Sequence, residues 1–232
     1  MPSITITGTY NARWVETAAG QRLARSAALD SVGEIGATEL ADSGIALVLD
    51  LRESSERGAI GHGVSVAHVP LYRLPDGPPL TGELEQVYDF LITKRSRELA
   101  EAVAAIADAP GPVLVHCTAG KDRTGLVVAL ALLASGHSDA AVVADYALST
   151  GVVRERRLAI AQSTLAPLGL DDLEHAAALR LHLDSPVEAM EHALRTLDAE
   201  GGAEAFLVRN GVTARQLLTL RLTLGGQTDD AE

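Results

Sequence analysis

The 232-residue sequence predicts an α/β fold with a mainly parallel central sheet flanked by helices. Three observations carry this expectation. Ile45–Leu49 and Val113–Val115 are unbroken apolar runs of strand length, the pattern of strands buried on both faces. Helix-length segments follow and separate them. The composition, 47% hydrophobic and 22% charged, is that of a globular chain able to bury a full core.

In chain order, Ile4-Thr5-Ile6-Thr7 alternates with period two and predicts a short strand. Ser31 to Ser43 reads as a helix ending near Gly44. The Ile45–Leu49 strand runs into Asp50-Leu51-Arg52 and a polar loop to Gly63. Val64 to Leu71 reads as a strand, and Pro75-Asp76-Gly77-Pro78-Pro79 as a loop by composition. Helices are expected over Gly82 to Thr93 and Ser96 to Ala107, then Pro110-Gly111-Pro112 breaks the chain. Val113–Val115 is a buried strand and Thr124 to Ala134 a largely apolar, hence buried, helix. Beyond Gly136 the pattern is mostly helical: Ser138 to Leu148, Val152 to Gln162, Pro186 to Asp198, Glu204 to Val208 and Thr213 to Leu224. The expected organisation is one domain over residues 1–224, with 137–224 a mostly helical cover, and a frayed polar tail over 225–232.

Charge and cysteine usage exclude several classes. The net charge is −12, a poor field for nucleic acid or an anionic bilayer. Only Lys94 and Lys121 are lysines, so the positive charge is almost all Arg, and aromatics are 3% of the chain. The single cysteine, Cys117, rules out an intramolecular disulfide and a Cys-rich zinc site. The start of the chain lacks a basic and then apolar signal pattern, and Leu126 to Ala134 is too short to span a membrane. The expectation is a cytoplasmic chain without stable membrane insertion, export without a signal peptide being left open.

Chemistry concentrates in Val113-Leu114-Val115-His116-Cys117-Thr118-Ala119-Gly120-Lys121-Asp122-Arg123-Thr124-Gly125. A buried strand ends at the cysteine, five residues separate it from Arg123, and a helix begins at once. Such a turn gathers backbone N–H groups at a helix N-terminus, where the dipole adds positive potential. Gly120 lets the backbone turn without a Cβ. Thr118, Ala119, Gly120, Lys121, Asp122, Arg123 and Thr124 would then line a cradle for a phosphate- or vanadate-like dianion. An ordinary thiol has a pKa of about 8.5, and a helix N-terminus with a nearby cation lowers it to roughly 3.5–7.5. Cys117 would be a thiolate able to attack phosphorus. Arg123 offers a planar fork to two phosphoryl oxygens. Thr124 can donate its hydroxyl to the sulfur, and His116 is placed to order the loop by hydrogen bonding. A lone cysteine after an apolar strand is ordinarily a small buried side chain; the companions Gly120, Arg123, Thr124 and Gly125 separate this one from that class. No metal or cofactor is required.

This run resembles the Cys-x5-Arg signature of the protein tyrosine phosphatase superfamily. Asn11-Ala12-Arg13, Arg25-Ser26, Asp50-Leu51-Arg52 with Glu56, the Gly-Lys-Asp-Arg-Thr-Gly loop and Asp145-Tyr146-Ala147-Leu148-Ser149 stand in the order of the atypical bacterial tyrosine and lipid phosphatases. Trp14-Val15-Glu16 departs from the Asp-Leu-Gly-Gly-like run of many relatives. The resemblance implies phosphotyrosine hydrolysis, tolerance of phosphoserine and phosphothreonine, often phosphoinositides, and C-terminal helices that act as a lid.

A general acid must protonate the leaving oxygen. Asp122 lies in the loop, Asp50 ends the strand beside Val113, and Asp76 sits in a Pro/Gly loop. The resemblance points to Asp50 and Asp122 equally, ahead of Asp76. Arg52 could instead pair with Glu53 or Glu56. Lys121 fits either the extra phosphates of a phosphoinositide headgroup or added field for one phosphate, and the acidic chain favours soluble substrates. His62, His68, His175, His182 and His192 read as scattered histidines, and Trp14 as a packing anchor. Two rivals are a rhodanese-like sulfurtransferase, from Leu49-Asp50-Leu51-Arg52-Glu53 with Gly61-His62 and Val69-Pro70, and a phosphate reader without turnover. With one cysteine, an oxidised Cys117 has only sulfenic or sulfenamide routes of rescue.

Overall fold

A computed structural model describes residues 4–59, 61–74 and 77–225. Five strands form one sheet: β1 (Arg13–Trp14), β2 (Leu23–Ser26), β3 (Leu47–Asp50), β4 (Ser65–His68) and β5 (Val113–His116), in the order β1-β2-β5-β3-β4. β1 is antiparallel to β2, and every other pair is parallel. β5 therefore lies centrally, with Ser26 and Asp50 both in register with His116. Three strand ends meet where Cys117 leaves the sheet, the edge at which such sheets place their sites.

The helices among the described residues are α1 (Glu34–Asp42), α2 (Leu84–Lys94), α3 (Ser96–Asp108), α4 (Asp122–Ala134), α5 (Asp139–Ala147), α6 (Ser149–Leu165), α7 (Asp172–Leu183), α8 (Val187–Ala199), α9 (Gly202–Arg209) and α10 (Ala214–Leu224). No helix among them is long and apolar enough to cross a membrane. The mixed α/β architecture with a mostly parallel sheet is the one the apolar runs predict.

The pleat divides the core. Leu23, Leu49, Val113 and Val115 point to the larger cluster, formed with α2, α3, α4, α5, α8, α9 and α10. Ala24, Val48 and Leu114 point the other way, onto Ile4, Ile6, Trp14, Leu29, Val32 and Leu40. Alternate residues of a strand face opposite sides, so an apolar run without alternation needs cover on both. α4 is buried on nearly every side, as its composition demands.

Several elements differ from expectation. Ile4 and Ile6 are buried and Thr5 and Thr7 exposed, but the segment pairs with no strand; the Thr7 amide donates instead to Glu39 Oε2 at 2.5 Å. Period-two burial needs only an apolar surface below it. β1, β2 and α7 escape the hydrophobic pattern. β2 reads Leu-Ala-Arg-Ser, and its charged member is buried because a carboxylate waits for it (below). α7 starts at a capping box, with Asp171 accepting from the Leu173 and Glu174 amides and the Glu174 carboxylate accepting from the Asp171 amide. α4 begins at Asp122 rather than Thr124, which puts Arg123 in its first turn. Tail residues 226–232 lie outside the described residues.

Leu114 fills the face opposite the helical core and is fully buried. Leu114→Ala is expected to cost about 2–5 kcal/mol by loss of transfer energy and cavity formation. The check is a urea midpoint that falls with an unchanged slope.

Candidate active site

The loop between β5 and α4 is held from behind. Asn11 Nδ2 donates to the carbonyls of Ala119 (3.1 Å) and Gly120 (3.0 Å). Arg25 Nη2 donates to those of Gly120 (2.8 Å) and Lys121 (3.1 Å), and the Ala28 amide to that of Thr118 (3.2 Å). In a trans peptide the C=O and the following N–H point in opposite directions. Drawing these four carbonyls backward turns the amides of Ala119, Gly120, Lys121 and Asp122 forward. Those amides have no acceptor among the described residues. Gly120 has φ +66°, and a Cβ there would meet the Ser26 carbonyl oxygen at 2.1 Å, so only glycine fits.

The backing group is itself pinned. Arg25 is 0% exposed and pairs through Nη1 with Asp145 Oδ2. Arg13 reaches the same carboxylate through Nε at 3.1 Å and Asn11 Oδ1 through Nη1 at 2.6 Å. Burial opposes the charge on Asp145, but the two guanidiniums more than offset it and lower its pKa. Burial and the Arg25 charge pull Arg13 down to about 10, still charged at neutral pH.

Cys117 is 3% exposed. Burial alone would raise its pKa; the Arg123 charge and the Thr124 hydroxyl and amide outweigh burial and lower it. The Thr124 hydroxyl is itself buried, in the first turn of α4. Arg123 Nη1 and Nη2 donate to Glu56 Oε2 (2.6 Å) and Oε1 (2.7 Å), a bidentate pair. Tyr72 lies flat against the guanidinium, 4.9 Å from ring centre to Cζ. The Arg123 Nε–H has no acceptor among the described residues. Thr118 Oγ1 donates to Glu56 Oε1 at 2.5 Å. Burial opposes ionisation of Glu56, but the Arg123 pair wins and its pKa is lowered.

His116 stands behind the sulfur, with Nδ1 3.3 Å from the Cys117 carbonyl oxygen and Nε2 3.8 Å from Asp50 Oδ2. Burial lowers its pKa to about 4 despite Asp50, so it is a neutral imidazole near pH 7.

The three general-acid candidates separate. Asp50 is 2% exposed, and its carboxylate accepts from the Arg52 amide, the Arg52 Nε and Nη2, and Arg57 Nε, at 3.0–3.2 Å. Burial would raise its pKa, but Arg52 and His116 lower it overall. Asp50 is thus held as an anion by four N–H donors, an arrangement that disfavours a proton donor at this position. Its partner Arg52 pairs with Asp50 and Asp30 rather than with the carboxylates of Glu53 or Glu56. Asp76 lies outside the described residues. Asp122, with a side chain 19% exposed, opens α4 beside the thiol.

Lys121 departs from its expected place on the rim. It is 1% exposed; Nζ donates to the carbonyls of Leu181 (3.0 Å) and Asp184 (2.6 Å) and lies 2.8 Å from Asp122 Oδ1. The end of an α-helix offers carbonyls without intrahelical partners, and an ammonium satisfies them. The cation therefore satisfies the last turn of α7 and pairs with Asp122.

In the sequence, Asn11, Arg13, Arg25 and Asp145 stand out only through a resemblance, Glu56 through that and as a possible partner of Arg52, and Tyr72 and Tyr88 not at all. One signal was available. The chain has four tyrosines among few aromatics, and all four surround this loop. Tyr72 underlies Arg123, Tyr88 donates to Asp122, Tyr146 contacts Tyr88, and Tyr10 lies within the field of Cys117. The histidines do not converge: no three His, Cys, Asp or Glu among the described residues group as a metal site.

The profile of the tyrosine phosphatase family matches residues 7–225. The chain belongs to the tyrosine phosphatase family. It is similar to the triple specificity protein phosphatase PtpB of Mycobacterium tuberculosis, 33% identical over 181 residues that cover 61% of this chain and 65% of that protein. It is also similar to a tyrosine-protein phosphatase of Nostoc commune, 31% identical over 140 residues, 56% of this chain and 44% of that one. It thus spans less than two thirds of either relative. The crystal structure of P. aeruginosa TpbA overlaps 76% of this chain and 88% of its own, at 20% identity and a TM-score of 0.36. The family profile contains the whole loop and every residue that backs it, from Asn11 to Asp145.

If the Arg123 charge and the Thr124 donors stabilise the thiolate, iodoacetate alkylation of Cys117 follows a titration midpoint below that of an ordinary thiol. Alkylation then persists as pH falls through the ordinary thiol range and fades only below the lowered midpoint. In Arg123→Met, with the largest lowering charge gone, the midpoint moves upward.

Proposed function

We propose that this chain is a cysteine-dependent phosphomonoester hydrolase acting on phosphotyrosine, with phosphoserine and phosphothreonine accepted as well. The observation that carries the reading is Cys117 at the start of a loop whose amides have no acceptor among the described residues and whose Arg123 is held in place by Glu56. Membership of the tyrosine phosphatase family supports the reaction class. The triple specificity in the name of the mycobacterial relative supports acceptance of more than one kind of phosphorylated substrate.

In the first step the Cys117 thiolate forms a bond to phosphorus as the bond from phosphorus to the aryl oxygen breaks. Asp122 gives its proton to that departing oxygen. The charge spread over the equatorial oxygens meets the loop amides and the free Nε–H of Arg123. In the second step a water oxygen attacks phosphorus, Asp122 takes the water's proton, and the thiolate leaves, favoured by the Thr124 hydroxyl. The loop supplies the positive field itself, so the reaction needs no added cation.

The alternative of a phosphoinositide substrate, which the family resemblance also implies, would use Lys121 for the added phosphates, and that ammonium is engaged with α7 and Asp122. This favours soluble phosphoproteins. The same contact ties α7 to the phosphate loop, which supports reading the α6–α7 hairpin as a cover.

The test is phosphate release from phosphotyrosine peptides and from a soluble short-chain phosphoinositide, with EDTA present. Turnover of the peptide that survives EDTA, is blocked by vanadate and falls by at least about 10⁴-fold in Cys117→Ser is expected. Faster turnover of the lipid would transfer the assignment to the alternative. Binding of vanadate without release would point to a phosphate reader, and thiosulfate turnover without phosphate release to a sulfurtransferase.

A further inference from the structure

The two oxygens of Asp122 are not equivalent. Oδ1 accepts from the Tyr88 hydroxyl at 2.9 Å and lies 2.8 Å from Lys121 Nζ. Oδ2 has no donor among the described residues. Tyr88 is fully buried on α2, and its oxygen lies 2.5 Å from that of Tyr146 on α5. A phenol has one proton to give. If Tyr88 spends its own on Asp122, Tyr146 must donate to Tyr88, and the chain runs Tyr146 to Tyr88 to Asp122. Burial and the Asp122 charge hold Tyr88 well above its usual pKa, and burial does the same for Tyr146, so both are neutral donors. Gly125 makes room for this chain: a Cβ there would meet Tyr146 Cδ2 at 2.9 Å.

We propose that Tyr88, backed by Tyr146 and joined by Lys121, is a positioning residue that reserves Oδ2 of Asp122 for the catalytic proton. The proposal rests on Asp122 being the general acid. Oδ1 already accepts the Tyr88 hydrogen bond and lies against the Lys121 ammonium, so a hydrogen on it would displace the first and repel the second. The proton of the acid form therefore sits on Oδ2, and the fixed Oδ1 prevents the carboxyl from turning over. Tyr88 touches neither substrate nor the reacting atoms. The other titratable groups facing Asp122 are Cys117 in the loop, Tyr72 after β4 and His182 at the end of α7. None of these takes Oδ1.

Leaving-group dependence separates aim from fold. A nitrophenolate leaves without a proton, whereas a phenolate needs one. The readout is the kcat/KM ratio of phenyl phosphate to p-nitrophenyl phosphate, which reports the first step and not the hydrolysis common to both substrates. Asp122→Asn is expected to lower that ratio by about 100-fold or more, the usual worth of a general acid. Tyr88→Phe is expected to lower it by about tenfold, the loss of one hydrogen bond to a charged group. In the Asp122→Asn background, Tyr88→Phe should leave the ratio where it is. Tyr146→Phe, which keeps the Tyr88 hydroxyl but removes its donor, should give a smaller fall of the same sign and serves if Tyr88→Phe fails to fold. Equal losses on both substrates in Tyr88→Phe, or a full further fall in the double variant, would overturn the proposal and leave Asp122 as the acid. Equal losses on both substrates in Asp122→Asn would overturn the general-acid reading and the proposal with it.

Discussion

Everything at this site depends on where the carbonyls between β5 and α4 point. A five-residue turn free in water would present carbonyls and amides alike, and an anion would meet both. Here Asn11, Arg25 and the Ala28 amide take the carbonyls from Thr118 to Lys121, and peptide planarity does the rest. Asp145 is what allows a guanidinium to sit there. Without it Arg25, fully enclosed, would be an uncompensated buried charge, a fault that costs about 3–5 kcal/mol. One buried carboxylate on α5 thereby sets the polarity of a loop that is distant from it in sequence.

The electrostatics follow the same division of labour. The chain carries a net charge of −12, yet the cations near the loop are each matched to a separate task. Arg25 and Arg13 shape the backbone, Lys121 closes the end of α7, and Arg123 alone faces the sulfur. Glu56 keeps Arg123 in one orientation by a two-toothed grip that a lysine could not make. Asp50 and His116 form the layer behind: an anion fixed by Arg52 and Arg57, and an imidazole kept neutral by burial. Cys117, Arg123 and Asp122 occupy adjacent positions because β5 ends and α4 begins within one turn.

What was legible in the sequence was local. The apolar runs at Ile45 and Val113 marked the central strands, and the thirteen residues from Val113 to Gly125 carried nucleophile, turn glycine and fork in one window. The backing residues were not legible by physics, because Asn11, Arg25 and Asp145 lie far apart in the chain and each looks like a surface polar residue when taken alone. β2 was missed for the same reason: its Arg25 hides a strand that is buried throughout. The partners of Asp50 and Lys121 were not legible either: Arg52 and Arg57 hold the one, and the end of α7 the other, and none of these contacts leaves a local pattern in the chain. The four tyrosines were the overlooked clue, since aromatic residues this scarce had to be placed with purpose or in the core, and here they do both.

The central claim is that Cys117 becomes covalently phosphorylated. It is tested most directly by mixing Asp122→Asn enzyme with a radiolabelled aryl phosphate bearing a good leaving group, where the first step is fast and the hydrolytic step slowed, and quenching in alkaline denaturant. The account predicts label on the peptide that contains Cys117, and none in the additional Cys117→Ser variant. Label on another residue, or release of phosphate with no covalent label at any time, would contradict it.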